Sequence, residues 1–158
     1  MAQRGRPKKE KPQPMHVKPR LLGWSKDMQD NAENIRDLLK ISPIERGRDA
    51  WRSKVIRAAV TAMTEEVKEQ PMEPGTLQRY VEQYINATYG DKNTKLKNIS
   101  AMLAPTTETE LDSIGDWMSG LKINIPFLRS NTGEYNRPLL LFIALERCAR
   151  KLELTKED

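Results

Sequence analysis

The sequence predicts an all-α fold: a compact bundle of about five or six helices behind an extended, disordered N-terminal arm. Three observations carry this. Apolar residues recur at spacings of three and four through most of residues 25–152. Prolines and capping residues interrupt that pattern at intervals of about one helix. Residues 1–23 have no period of either kind and little apolar content, yet hold four prolines, Pro7, Pro12, Pro14 and Pro19. The chain therefore divides into a basic, proline-rich arm over residues 1–23 and a helical domain over residues 24–158.

The first helix starts at Ser25, with Met28, Ala32, Ile35, Leu38 and Leu39 on one face. The run S-P-I-E at residues 42–45 reads as the next start: Ser42 caps, Pro43 takes the first helical position and Glu45 closes a capping box. A long helix is expected from residue 43 to about residue 69, until Pro71 and Pro74 end it. Leu77, Tyr80, Val81, Tyr84 and Ile85 line a third helix that stops near Gly90. Asp91 caps a fourth, carrying Leu96, Ile99, Met102 and Leu103, and Pro105 breaks it. Thr107 and Glu110 offer a capping box for a fifth, with Leu111, Ile114, Trp117, Met118 and Leu121 as its apolar positions. Residues 122–128 alternate briefly and suit a short strand or an extended crossing, with Pro126 against a central strand. The last helix runs from Pro138 to about Leu152, and residues 139–145 leave it no polar face over two turns. It is thus a central core helix or a subunit interface, with core the commoner outcome.

Charge is unevenly placed. Of 27 Lys and Arg and 22 Asp and Glu, residues 1–20 hold seven cations and the single anion Glu10, a net of +6. The remainder has twenty cations against twenty-one anions, a net of −1. A nearly neutral body with a basic tether suggests that the tether meets a polyanion while the body has work of its own. One cysteine, Cys148, excludes an intramolecular disulfide; the N-terminus has no secretory pattern, and the longest apolar run is far below the roughly 20 residues that span a bilayer. The expectation is a reducing, intracellular setting with no membrane partner: the cytoplasm of a bacterial host, a virion, or the nucleus if the source is eukaryotic.

The sequence offers little for catalysis. The one histidine, His16, lies in the arm, and no metal cluster assembles without relying on carboxylates alone. Glycines are scattered singly, with no phosphate-cradling loop and no nucleophile elbow. Glu66 and Lys68 form an E-x-K triplet of the kind some nucleases use, but on a helix rather than a strand. Cys148, within the last helix, reads as a small buried hydrophobe. No enzyme activity, cofactor or metal is expected.

The arm carries the sharper signal. R-G-R-P-K-K, residues 4–9, resembles the AT-hook. The resemblance implies that Arg4, Gly5, Arg6 and Pro7 read the minor groove of A·T-rich DNA, and physical chemistry agrees. That groove is about 6 Å wide and lined by acceptors, so a slim main chain at Gly5 with cationic donors on either side fits it. Pro7 stiffens the exit, and Lys8, Lys9 and Lys11 reach phosphates. The same lysines also suit a nuclear import signal or a tail that attracts RNA. A single hook binds weakly, so a second DNA surface or several copies of the arm are needed.

A second surface is offered by the start of the long helix, where Arg46, Arg48, Arg52, Lys54 and Arg57 face only Asp49, a net of +4 over residues 46–57. This runs against the helix dipole, which favours anions there. Arg46, Ser53 and Arg57 share one face, opposite Ile44, Trp51, Val55, Ala58 and Ala62. A phosphate-facing surface and a solvated face paired with acids elsewhere both fit. A helix-turn-helix across the fourth and fifth helices does not, because Glu108, Glu110, Asp112 and Asp116 leave the recognition position acidic and without a cation.

Arm, helical body and absent catalytic inventory together read as a DNA-binding accessory protein. The plan resembles that of small phage terminase subunits, several of which carry a G-R-P-containing tail on a helical body. The resemblance implies a homo-oligomer or a larger protein machine as partner, in phage DNA packaging. A transcription or replication regulator, and a structural or adaptor subunit of a nucleoprotein or virion, are the alternatives.

Overall fold

The computed structural model describes residues 18–42, 50–90 and 97–157. Among them, five α-helices and one antiparallel ribbon follow in the order β1 (Lys18–Trp24), α1 (Lys26–Leu39), α2 (Ala50–Glu69), α3 (Pro74–Ile85), β2 (Lys97–Leu103), α4 (Pro105–Ser119) and α5 (Arg137–Glu157). The fold is the all-α bundle that the helical periodicity predicts. The arm residues 4–11, Arg46 and Arg48, the Pro43 and Glu45 positions of the expected second start, and the Asp91 cap lie outside the described residues.

α5 is the axis of the bundle. It packs against α1, α2, α3, α4 and β1. Surrounded on every side, it has no use for a polar face, and residues 139–145 are all buried. Each large aliphatic side chain removed from water in this way contributes about 1.5–3 kcal/mol. Its apolar run is therefore explained by the core.

α1 begins at Ser25, whose Oγ accepts the Met28 N–H at 3.2 Å. The reciprocal half of the box uses sulfur: the Ser25 N–H points to Met28 Sδ at 3.5 Å. Met28, Ala32 and Ile35 are buried as expected, whereas Leu38 is half-buried and Leu39 is exposed where the helix ends. Lys40 closes it in the left-handed region at φ 60°.

α2 buries Trp51, Val55, Ile56, Ala59, Val60 and Met63. The narrower stripe expected from sequence ran through Ala58 and Ala62, but Ala58 is half-buried and Ala62 is exposed. α2 packs against α1, α4, α5 and β2 together, which widens its covered side and turns it past Ala62. The Glu66–Lys68 triplet is divided: Glu66 is tied to Arg147 and Lys151 of α5, while Lys68 is exposed.

Two expectations fail and share a cause. Residues 97–103, expected in the fourth helix, are strand β2, paired with β1 from Lys18↔Leu103 to Trp24↔Lys97. Ile99, Ala101 and Leu103 alternate, and the last two are buried while Ile99 packs at the core edge. A short apolar run satisfies both periods, and the extended partner at residues 18–24 selects the strand. β1 also begins inside the segment read as arm. Consequently Pro105 breaks no helix but opens α4 at its first position, with Ala104 as a cap that has no side-chain bond. The Thr107–Glu110 box does not form: Thr107 is buried, and Glu110 accepts instead from Thr61 Oγ1 at 2.9 Å. Residues 122–128 are an irregular crossing rather than a strand, with Ile123, Ile125 and Leu128 packed at the core edge.

Candidate nucleic-acid interface

At the start of α2, two arginines on different sides of the helix have different roles. Arg52 and Arg57 are five residues apart, about 140° around the axis. Arg57 is exposed, as is Lys54 one turn before it. Arg52 turns inward: its guanidinium lies 5.1 Å from the Trp51 ring centre and 5.9 Å from that of Trp24. Its Nε and Nη2 donate to Gln29 Oε1 at 3.3 and 3.1 Å. The same oxygen accepts Trp24 Nε1 at 2.7 Å, and Gln29 Nε2 donates to Glu33 at 2.7 Å. Arg36 adds a second guanidinium 4.6 Å from the Trp51 ring and donates to Asp37 at 3.0 Å.

This junction locks the end of β1, α1 and the start of α2 together through one glutamine. Cation–π contacts of this kind are worth about 0.5–1 kcal/mol when exposed and about 2 when desolvated. The tryptophans are nearly covered, at 4% and 5% exposure for Trp24 and Trp51, so the layer anchors the fold. Of the sequence-predicted site residues, Arg52 and Arg57 are described; the groove readers Arg4, Gly5, Arg6 and Pro7, the lysines 8, 9 and 11, and Arg46 and Arg48 lie outside the described residues. The arrangement presents Arg57 and Lys54 outward on a helix whose other side is fixed in place by Arg52, which suits phosphate contact.

A second surface went unrecognised in the sequence. A π-helical turn, Asn86–Gly90, follows α3 and carries Tyr89 outward, 58% exposed. Tyr89 stacks on Phe127, itself 47% exposed, with ring centres 4.8 Å apart and planes at 30°. Phe127 has φ 65°, the left-handed region that a bulky side chain seldom occupies. Opposite lies a tight loop in which Arg129 pairs with Tyr135 and Gly133 turns at φ 92°. The Arg129 guanidinium lies 4.2 Å from the Tyr135 ring centre, donating from Nη1 to the Gly133 carbonyl at 2.8 Å and from Nη2 to the Tyr135 hydroxyl at 3.0 Å. Tyr135 donates in turn to Asp116 at 2.6 Å, and this carboxylate acceptor pushes its ionisation upward. Together these groups border an open cavity of about 500 Å³. The sequence signal was slight: Phe127 in a non-helical stretch, beside Pro126 and ahead of an N-T-G turn, where binding residues are common.

Two other titratable groups, Cys148 and Tyr84, are buried. Burial pushes up the Cys148 thiol and the Tyr84 phenol, so neither is set up as a nucleophile. Among the described residues no group of three or more His, Cys, Asp or Glu side chains is placed to hold a metal ion, and no helix is long and apolar enough to cross a membrane. No family model, no curated protein and no solved structure matches this chain.

Proposed function

We propose that this chain is a non-enzymatic DNA-binding accessory protein whose N-terminal arm enters the minor groove of A·T-rich DNA and whose helical body supplies further contacts. The observation that carries the reading is the charge partition, +6 over residues 1–20 against −1 over the rest. Arg4, Gly5, Arg6 and Pro7 are the groove readers in this scheme, and Lys8, Lys9 and Lys11 meet phosphates. Arg46 and Arg48, which precede α2 in the chain, and Arg57 on α2 add phosphate contacts, while Arg52 holds the helix in place against Trp24 and Trp51. A single arm of this kind binds weakly, so the reading includes several arms brought together by self-association, as in the plan of a small terminase subunit within a phage packaging machine.

The test is fluorescence anisotropy of A·T-rich and G·C-rich duplexes across a salt series, with the intact chain and with Arg4 and Arg6 changed to alanine. Preference for A·T duplex that vanishes in the double variant is the expected result. Equal affinity for both duplexes, unchanged by the substitutions, would sink the minor-groove reading.

A further inference from the structure

Several unusual features meet on the surface formed by the end of α3, the crossing before the 129–135 loop and the start of α5. A π-helical turn is a rare distortion that recurs at functional sites. A phenylalanine in the left-handed region is strained and persists only where its surroundings hold it there. Both distortions here serve to hold aromatic rings in solvent, Tyr89 in the first case and Phe127 in the second.

The platform is rooted in the core. Tyr89 meets Tyr84 edge-on at 6.5 Å, and Tyr84 meets the buried Phe142 edge-on at 5.6 Å. The Phe127 carbonyl accepts Asn136 Nδ2 at 2.9 Å, and Asn136 Oδ1 accepts the Leu139 N–H at 3.4 Å in the first turn of α5. The rings are thus positioned before any ligand arrives, which lowers the ordering cost of binding.

The lining also has a charge pattern. Arg129 and Arg137 border the cavity against one carboxylate, Glu134. Arg137 is ion-paired to two carboxylates outside the lining: Nη1, buried and without a hydrogen bond, lies 3.9 Å from Glu108, and Nη2 lies 3.7 Å from Asp112. The N-terminal end of α5 adds its own positive pole at the same place.

We infer that this surface is a binding site for an unpaired nucleotide of single-stranded nucleic acid, with the base stacked on the Tyr89–Phe127 pair and its phosphate directed to Arg129 and Arg137. A planar ring matches the exposed aromatic faces, an anion matches the two arginines of the lining, Arg129 and Arg137, and a cavity of about 500 Å³ is of the size that admits one nucleotide unit. The site shares no residue with the arm, and it stands whether or not the arm reads duplex DNA.

Phe127→Gly is the informative variant, because glycine adopts φ 65° without strain while losing the ring. Anisotropy of a labelled mixed-sequence single-stranded DNA is measured with the full chain carrying Arg4→Ala, Arg6→Ala, Lys8→Ala, Lys9→Ala and Lys11→Ala, so that the arm contributes little. Adding Phe127→Gly to that background is expected to weaken binding about tenfold, with the melting temperature held or raised and duplex binding by the otherwise intact chain unchanged. Tyr89→Leu, which keeps apolar bulk but not the planar ring, is expected to weaken it similarly. Equal single-strand affinity with and without the ring substitutions would overturn the proposal. So would failure of the parent background to bind single strands at all, which would leave the platform to a protein segment.

Discussion

Arg147 on α5 grips the Glu66 carboxylate on α2 with Nε 3.1 Å from both oxygens and Nη2 2.6 Å from Oε2. The Glu66 side chain is only 7% exposed, and Lys151 approaches its other oxygen at 3.6 Å. Hydrogen bonding to Glu66 pushes the Arg147 ionisation upward. Arg147 Nη1 also reaches the Tyr80 hydroxyl at 3.5 Å, which links α3 to the same point.

Removing one partner should therefore cost more than removing both. Arg147→Met leaves a nearly buried carboxylate facing Lys151 alone, and a loss of about 2–4 kcal/mol is expected in urea denaturation. The double variant Arg147→Met with Glu66→Leu should recover a substantial part of that loss. Additive losses in the two single variants would show that the pair is not coupled.

Gly115 on α4 lies directly under the Tyr135 ring: a Cβ there would stand 2.6 Å from the ring carbons. Alanine would raise helix propensity by about 1 kcal/mol but must displace the ring, at a typical cost of about 1–3 kcal/mol. The displacement should win, because the ring is also held by Asp116 and Arg129. Gly115→Ala is expected to lower the melting temperature, and a rise would mean that the loop yields freely.

Arg52 and Arg57 should separate stability from binding. Arg52→Ala removes two ring contacts and two donors to Gln29, so a loss of about 1–3 kcal/mol in stability is expected. Arg57→Ala, on the exposed side, should leave stability within about 0.5 kcal/mol while reducing the salt slope of duplex binding by about one. Denaturation and salt-dependent anisotropy on the same two variants distinguish these outcomes.

Alkaline titration provides a fourth check. The Tyr135 phenol, held by the Asp116 carboxylate, and the Tyr84 phenol, raised by burial, should both ionise above the ordinary value of 10.0. The folded state holds these protons more tightly than the unfolded chain does. Their stabilisation is therefore complete below the ordinary value and is lost as pH rises through the folded one. Asp116→Asn should bring the Tyr135 transition down, followed by phenolate absorbance; an unchanged curve would mean that the bond does not form in solution.

How legible each element was depended on how many neighbours touch it. α1 and α3 each cover one face, and their buried residues Met28, Ala32, Ile35, Leu77, Tyr80, Val81 and Tyr84 all fall on the expected stripes. α5 was legible for the opposite reason, since seven consecutive apolar residues admit few explanations. Residues 97–103 were not, because Ile99 and Leu103 satisfy a period of two and a period of four alike. The candidate surfaces divide in the same way. The basic arm and the cationic run over residues 46–57 are composition and could be read directly. The Tyr89–Phe127 pair unites residues 38 positions apart in the chain, and no local pattern announces it.

By itself the sequence determined the helical class, the polarity of each one-sided helix and the separation of charge between arm and body, because these follow from local spacing and composition. Only the tertiary structure decided that residues 97–103 pair as a strand, that Arg52 faces inward to two tryptophans while Arg57 faces out, and that Tyr89 and Phe127 stack in solvent. Each of those outcomes is a choice between conformations of similar local free energy. The choice is made by contacts between segments far apart in sequence, which no window along the chain contains.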